Sequence, residues 1–274
     1  MSWWKQRSSG ERASAGPDTG VQVAPTAQPG VDAPGGQRER PPLEVLGTTR
    51  SGREVRGFRA PADQLLPWWH ELRAQHATTG LWPVLLGPDV GDVASAFWDH
   101  AGYDDALELD RAAGATTADV ASARAARTEP YDDEDADEAE EADDAPPRRL
   151  EPEPARFTVA ETDGLVALVP AEHGWQVPAV LGWIGGCNVD LDVVEHVVTL
   201  RDWHERFGAE LVSLSDDQVL ELLVARPPTT PDEALAVARE HYAYCPDVVD
   251  QGVGSLTVLA QGQVASSSWY FWWD

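Results

Sequence analysis

The sequence has very little lysine, cysteine or methionine. Its 274 residues include one lysine against nineteen arginines, two cysteines and one methionine. Two cysteines cannot build a disulfide framework. No window approaches the roughly 18 consecutive apolar residues that a membrane-spanning helix needs, and the N-terminus lacks the apolar stretch of a signal peptide. We therefore expect a cytosolic protein with no membrane partner.

Basic charge is also scarce. The formal net charge is -27 and the isoelectric point is about 4.4. Such a chain repels the phosphates of nucleic acids, and no local basic patch offsets the repulsion, so we expect no nucleic-acid partner. The acidic surface suits a basic protein partner instead. No motif indicates a cofactor.

Two stretches lack the composition of a folded segment. Residues 1–42 contain few large apolar side chains and are predicted to be a disordered tail. Residues 115–156 are predicted to be a disordered linker or insertion, since residues 129–144 contain eleven acidic side chains and no basic one, and prolines follow. This acidic stretch is either a solubilising spacer or a docking segment for a basic partner.

Residues 43–114 are predicted to form an N-terminal part of the fold with the element order ββαβα. A helix opens at Pro61 because apolar side chains recur at steps of three and four residues, and it ends at Gly80. The other expected elements are strands at Leu43–Leu46, Glu54–Phe58 and Leu81–Leu86, and a second helix from Asp92 to about Ala113.

Residues 157–274 show a clearer pattern and form the predicted C-terminal core. Asp190 or Asp192 caps a helix that stops at Gly208, and Thr230 caps a helix that runs to Tyr244. The expected strands are Leu165–Val169, Val177–Ile184, Leu211–Leu214 and Val219–Val224, the last two forming a hairpin.

Five consecutive aromatic residues, Trp269 to Trp273, stand before Asp274. As a strand, they place apolar rings on both faces, which predicts a strand in the interior of a sheet. The fold class is therefore α/β or α+β, a mixed β-sheet of about six to eight strands with helices packed on its faces. The 43–114 part offers only a marginal core by itself, so we expect it to share one domain with the C-terminal core.

The best constellation for chemistry is His241 with Cys245, four residues apart on one helix. This spacing allows metal ligation or an activated thiol, but a packed, hydrogen-bonded core pair is the favoured interpretation. Two cysteines are too few for most zinc sites, and a helix C-terminus disfavours a thiolate. We assign no catalytic residue and no metal ligand. The candidate pocket residues are Asn188, Arg201, His241, Cys245 and Asp247.

The second half of the chain carries uncommon strings in a particular order. They are Gly185-Gly186-Cys187-Asn188, the run from Leu200 to Val212, Ala225-Arg226-Pro227-Pro228, Glu233-Ala234, the run from Glu240 to Asp247 and Trp269 to Asp274. In these strings the chain resembles the domain of unknown function 4253 (DUF4253), a family common in actinobacteria. The resemblance covers residues 160–274 strongly and 61–87 more weakly. It implies no activity and no catalytic residues.

These observations leave two functional hypotheses from different classes of protein. The first is a non-enzymatic protein-interaction module, of the immunity, inhibitor or adaptor kind, for a basic partner. The alternative is a small-ligand-binding protein or hydrolase-like enzyme with a site around Asn188, Arg201, His241 and Cys245. Convergence of those side chains in an open pocket favours the alternative, whereas enclosure of His241 and Cys245 by tryptophans favours the interaction module.

Overall fold

A computed structural model describes residues 39–87, 103–127, 145–183, 185–186, 189–215 and 218–274. Residues Pro41–Asp274 form one compact unit, to which the following account refers. The predicted tail up to residue 38 and the acidic run lie outside the described residues. Among the residues described, no helix combines the length and the apolar character needed to cross a membrane.

The described residues build a seven-stranded mixed sheet in the order β1-β2-β4-β3-β5-β6-β7. The strands are β1 Glu44–Thr48, β2 Glu54–Ala60, β3 Leu81–Leu86, β4 Gly164–Pro170, β5 Ala209–Ser215, β6 Val219–Val224 and β7 Ser268–Trp272. Neighbours are antiparallel except β3 and β5, which are parallel. The predicted mixed sheet with packed helices is confirmed, in the α+β class, and strands from both predicted parts share it.

The helices mostly begin and end where local signals place them. They are α1 Ala62–Thr79, α2 Asp105–Gly114, α3 Thr117–Arg127, α4 Val177–Leu181, α5 Val193–Phe207, α6 Pro231–Tyr244 and α7 Leu256–Leu259. Asp192 accepts a hydrogen bond from a backbone N–H in the first turn of α5, and Thr230 does so for α6. Gly208 ends α5 with a φ of 63°, a backbone conformation that side chains with a Cβ rarely adopt.

Both faces of the sheet are covered. Helices α4, α5 and α6 pack on one face over a large core that includes Trp203, Trp269 and Phe271. Helix α1 and the short helix Thr158–Glu161 cover the other face. The outer side of α5 contacts α2 and α3, so this helix is apolar on two sides. This double burial gives α5 its central place in the structure.

The strand predicted at Val177–Ile184 is wrong, because Val177–Leu181 form helix α4. A short apolar run does not by itself distinguish a buried strand from a buried helix turn. Pro178 decides the local preference, since proline is tolerated in the first turn of a helix but removes a hydrogen bond from an interior strand. Ile184 lies outside the described residues.

The prediction of a linker over residues 115–156 is wrong for 117–127, which form α3. Thr116 and Asp119 exchange hydrogen bonds at its start, with Thr116 Oγ1 accepting from the Asp119 backbone N–H. Val120 is buried against α5. The prediction extended the linker over this alanine-rich helix because the strongly acidic stretch follows it directly in the sequence. The helix predicted from Asp92 has its first part outside the described residues and its second part in α2.

The interior position predicted for the aromatic strand is also wrong, because β7 is an edge strand. Trp269, Phe271 and Trp273 are buried on one face, whereas Tyr270 and Trp272 on the other face are half-buried. The backbone carbonyls of Tyr270 and Trp272 accept hydrogen bonds from side chains, namely those of Gln263 and Cys245. Side-chain cover of this kind protects a sheet edge from pairing with another strand.

Replacing single aromatic residues of β7 should cost more stability on its buried face than on its half-buried face. We expect Phe271→Ala to lower the free energy of unfolding by about 3 to 5 kcal/mol, since a buried ring leaves a cavity. Trp272→Ala, on the half-buried face, should cost only about 1 to 2 kcal/mol. Urea unfolding followed by circular dichroism measures both. Equal losses would contradict the one-sided burial of the strand.

Candidate functional site

His241 lies inside an aromatic cage. It is 0% exposed, and its ring centroid is 4.9 Å from Trp203, 4.5 Å from Trp269 and 4.8 Å from Phe271. Neither ring nitrogen has a hydrogen-bond partner among the described residues. Burial, assisted by the charge of Arg206, lowers its pKa to about 3. The imidazole is therefore neutral and shielded from solvent, which does not suit a general base.

Cys245 follows α6 directly and is 0% exposed. Its thiol donates a hydrogen bond to the backbone carbonyl of Trp272 over 3.0 Å. Burial raises the pKa of this thiol to about 12, so the nucleophilic thiolate is scarce at neutral pH. The cysteine connects the end of α6 to the edge strand β7.

The other predicted site residues serve the fold. Arg201 on α5 donates to the backbone carbonyls of Ala112, over 3.4 Å, and Ala115, over 2.7 Å, where α2 ends. Its guanidinium thus satisfies carbonyls that a helix end leaves unpaired. Asp247 accepts hydrogen bonds from the Gln251 side chain and the Asp274 backbone N–H, both over 3.0 Å.

The structure therefore places His241 in the last turn of α6 and Cys245 directly after that helix, not within it as the spacing predicts, and it buries both side chains. The hydrogen bonds of Arg201 go to the end of α2 instead of to this pair. Asn188 lies outside the described residues. Aromatic enclosure of His241 is the geometry that favours the interaction module among the two functional hypotheses.

His196 shares its helix with His204 and is adjacent to Glu195, a pattern that predicts a solvated polar face, but the structure buries this histidine as well. It is 0% exposed on α5, and its Nε2 lies 2.7 Å from the Gly185 carbonyl while its Nδ1 lies 2.6 Å from the Tyr244 hydroxyl. The carbonyl can only accept, so Nε2 carries the proton and the hydroxyl donates to Nδ1. Burial lowers the pKa of His196 to about 4.

An ion pair between a partly buried arginine and a buried glutamate lies beside this histidine. The guanidinium of Arg124 on α3 is 3.4 Å from Glu195, which is 4% exposed, and donates to Thr199 over 2.8 Å. The same guanidinium stands 5.3 Å from the ring centroid of Tyr244. The pair holds α3 against α5.

Glu221, at the centre of β6, is a further buried polar group and was not among the predicted site residues. It is 1% exposed and accepts hydrogen bonds from the backbone and hydroxyl of Thr158, from the Val159 backbone N–H over 3.3 Å and from Ser213 over 2.6 Å. Burial raises the pKa of this carboxyl group. The hydrogen bonds lower it, but by less than burial raises it. A single acid within the apolar run of β6 was the signal for it.

An open groove of about 690 Å³ lies elsewhere, where α5 ends and the β5–β6 pair begins. Its lining comprises His204, Glu205, Gly208, Glu210, Leu223, Val224, Ala225 and Arg226, and none of the predicted site residues. Arg226 donates to the Glu205 carbonyl over 3.2 Å, and Arg73 pairs with Glu210. Over the residues described, no group of three or more potential ligands could hold a metal ion.

Fold and site together define an α+β protein with a closed, aromatic-rich core in which the potentially reactive side chains are packed. Residues 165–274 match the family model described as Domain of unknown function (DUF4253). This match confirms the resemblance for the C-terminal part of the chain, from β4 to β7. No curated protein and no solved structure matches the chain.

The two buried histidines should respond differently to the same substitution. His196→Leu should lower the free energy of unfolding by about 2 kcal/mol or more, since it leaves the Gly185 carbonyl and the Tyr244 hydroxyl unpaired. His241→Leu removes no hydrogen bond and should leave stability unchanged or raise it. Urea unfolding at about pH 7.5 measures both, and each variant controls the other for loss of ring volume. A large loss in His241→Leu would reveal a partner for that ring.

Cys245 should be chemically inert in the folded protein. In a Cys187→Ser background, Cys245 is the only thiol. Its raised pKa reduces the thiolate fraction at about pH 8 by roughly a thousandfold, and burial slows the reaction further. We expect iodoacetamide to label it at least about a thousandfold faster in concentrated urea than in buffer. Comparable rates in both conditions would instead identify an accessible, activated cysteine.

Proposed function

We propose that this protein is a protein-interaction module without catalytic activity, which binds a basic protein partner as an inhibitor, immunity protein or adaptor does. The observation that carries the proposal is the distribution of charge. The formal net charge is -27, and eleven acidic residues with no basic one lie within residues 129–144. A field of this strength accelerates encounter with a basic surface and selects against acidic ones.

The acidic run is attached to the folded body on both sides. On its N-terminal side, α3 is held by the ion pair of Arg124 with Glu195 and by the burial of Val120. On its C-terminal side, the Ala145 carbonyl accepts a hydrogen bond from Thr257 over 2.6 Å. The Glu151 backbone N–H then donates to the Gln261 carbonyl over 2.8 Å. A charged segment tethered at both ends loses less entropy on binding than a free tail.

The packing of the candidate reactive groups also supports an interaction role. His241 and Cys245 are enclosed, and the guanidinium of Arg201 is committed to the end of α2. The alternative, a small-ligand-binding protein or hydrolase-like enzyme, needs these side chains to be reachable from solvent. Fast labelling of Cys245 in the folded protein would favour that alternative.

The test compares the intact chain with two variants of residues 129–144. The first replaces the eleven acids by their amides, Asp→Asn and Glu→Gln, and removes the charge at nearly constant shape. The second keeps the composition and scrambles the order. We expect cross-linked affinity purification from the host to yield one basic partner that is lost with the amide variant and retained with the scrambled variant, since long-range electrostatics depends on charge more than on order.

Reconstitution with the purified partner then measures the dissociation constant. Binding should weaken by at least about tenfold when the salt concentration rises from about 0.05 to 0.3 M, because salt screens charges. Unchanged affinity of the amide variant would contradict the proposed role of the acidic run. Recovery of no partner with the intact chain would contradict the interaction function as a whole.

A further inference from the structure

Two buried histidines contact the core-facing aromatic rings of β7 and of Trp273, the residue that directly follows this strand. The His241 ring lies 4.5 Å from that of Trp269 and 4.8 Å from that of Phe271, and the His196 ring lies 5.9 Å from that of Trp273. Both histidines are 0% exposed and stand on neighbouring helices, His196 on α5 and His241 on α6. All three inward-facing aromatic side chains at this edge of the sheet therefore pack against an imidazole.

Neither imidazole can take up a proton without cost in this position. The cage of His241 offers its two nitrogens no hydrogen-bond acceptor among the described residues. Nδ1 of His196 accepts from the Tyr244 hydroxyl, so protonation of Nδ1 requires the hydroxyl to turn its own proton away from this buried hydrogen bond. A charged imidazole is costly in such apolar surroundings, so protonation favours any conformation in which the ring reaches water.

The charged neighbours of the two histidines do not remove this cost. Arg206 acts on His241 and disfavours its protonation. Glu195 and Asp192 favour protonation of His196, and Arg124 disfavours it. Tyr244 and Cys245, the other titratable groups in contact with this region, are neutral near pH 7 because burial raises the pKa of each. Burial outweighs the charges for both histidines.

Strand β7 is one of the two edge strands of the sheet and the one that contacts the histidines. Among the described residues it pairs with β6 alone. Its remaining polar contacts are made by side chains, including the hydrogen bond from the Cys245 thiol to the Trp272 carbonyl. Separation of β7 would therefore remove the cover of Cys245 and leave the other strand pairings in place.

We propose that His196 and His241 form an acid-sensitive latch, which holds β7 against α5 and α6 while both imidazoles are neutral and releases the strand when they take up protons. The proposal is independent of the interaction function. It explains why the core keeps a histidine at position 241 with no hydrogen-bond partner among the described residues.

The sign of the pH dependence follows from linkage. Burial lowers the pKa of each histidine in the latched state below its ordinary value of about 6.5, which the released state regains. Release therefore binds protons, and its equilibrium constant rises as the pH falls below about 6.5, by up to tenfold per pH unit for each histidine. Glu221 acts in the opposite direction because its pKa is raised in the folded state.

Labelling of Cys245 tests the latch in the full-length chain with Cys187→Ser. The probe is 4,4′-dithiodipyridine, which reacts with thiols in mild acid. Its rate with Cys245, divided by its rate with a cysteine peptide at each pH, reports release, and far-UV circular dichroism reports global unfolding. From about pH 6 to 4.5 we expect the normalised rate to rise more than tenfold per pH unit while the helical signal persists.

Histidine variants test whether the latch causes the pH-dependent rise in the labelling rate of Cys245. His241→Leu, with His241→Phe as a second variant should the first fold poorly, should reduce the slope to at most tenfold per pH unit. His204→Gln, which changes a partly exposed histidine of α5, should leave the slope unchanged. The proposal is overturned if labelling rises only together with loss of the helical signal, if it does not rise at all, or if the His241 variants keep the full slope.

Discussion

Burial of α5 on two sides is the constraint on which the rest of the structure depends. Its inner side contributes Trp203, which contacts Trp269 and stacks on Phe271 at 5.2 Å, and thereby places β7 at the sheet. Its outer side packs against α2 and α3. A helix enclosed in this way exposes little polar backbone to water and has few polar side chains that can stay solvated. Each of its buried polar groups therefore needs a partner within the protein.

That requirement explains the roles of the polar side chains around α5. Arg201 satisfies the end of α2, Glu195 pairs with Arg124, and His196 joins Gly185 to Tyr244. These residue types also occur in active sites, where perturbed pKa values are common. Here the perturbation comes first from burial, and the same side chains hold elements together. His241 differs from them, because its nitrogens lack hydrogen-bond partners in the described residues. This difference is the basis for assigning it a conformational role.

The candidate site was predictable in part. The spacing correctly places His241 in α6, but Cys245 follows the helix as its C-cap, and burial is the main cause of the raised pKa of its thiol. A packed pair was expected, but the cage around His241 was not predictable, because it comes from Trp203 and from β7, which are distant in sequence. His196 was predicted to be solvated, since its neighbour Glu195 is acidic. The second layer formed by α2 and α3 covers that side of α5, and no local pattern indicates such a layer.

The sequence by itself determined the elements with local signals. Gly80 and Gly208 end α1 and α5, Thr230 and Pro231 open α6, and two apolar runs on either side of a polar turn place the β5–β6 hairpin. These signals act within a few residues, so they operate before the chain is compact. Only the tertiary structure decided that β7 lies at an edge, that Val177–Leu181 is a helix and that both buried histidines are neutral. Strand order and protonation depend on which distant surfaces cover a residue, and that cover exists only in the folded protein.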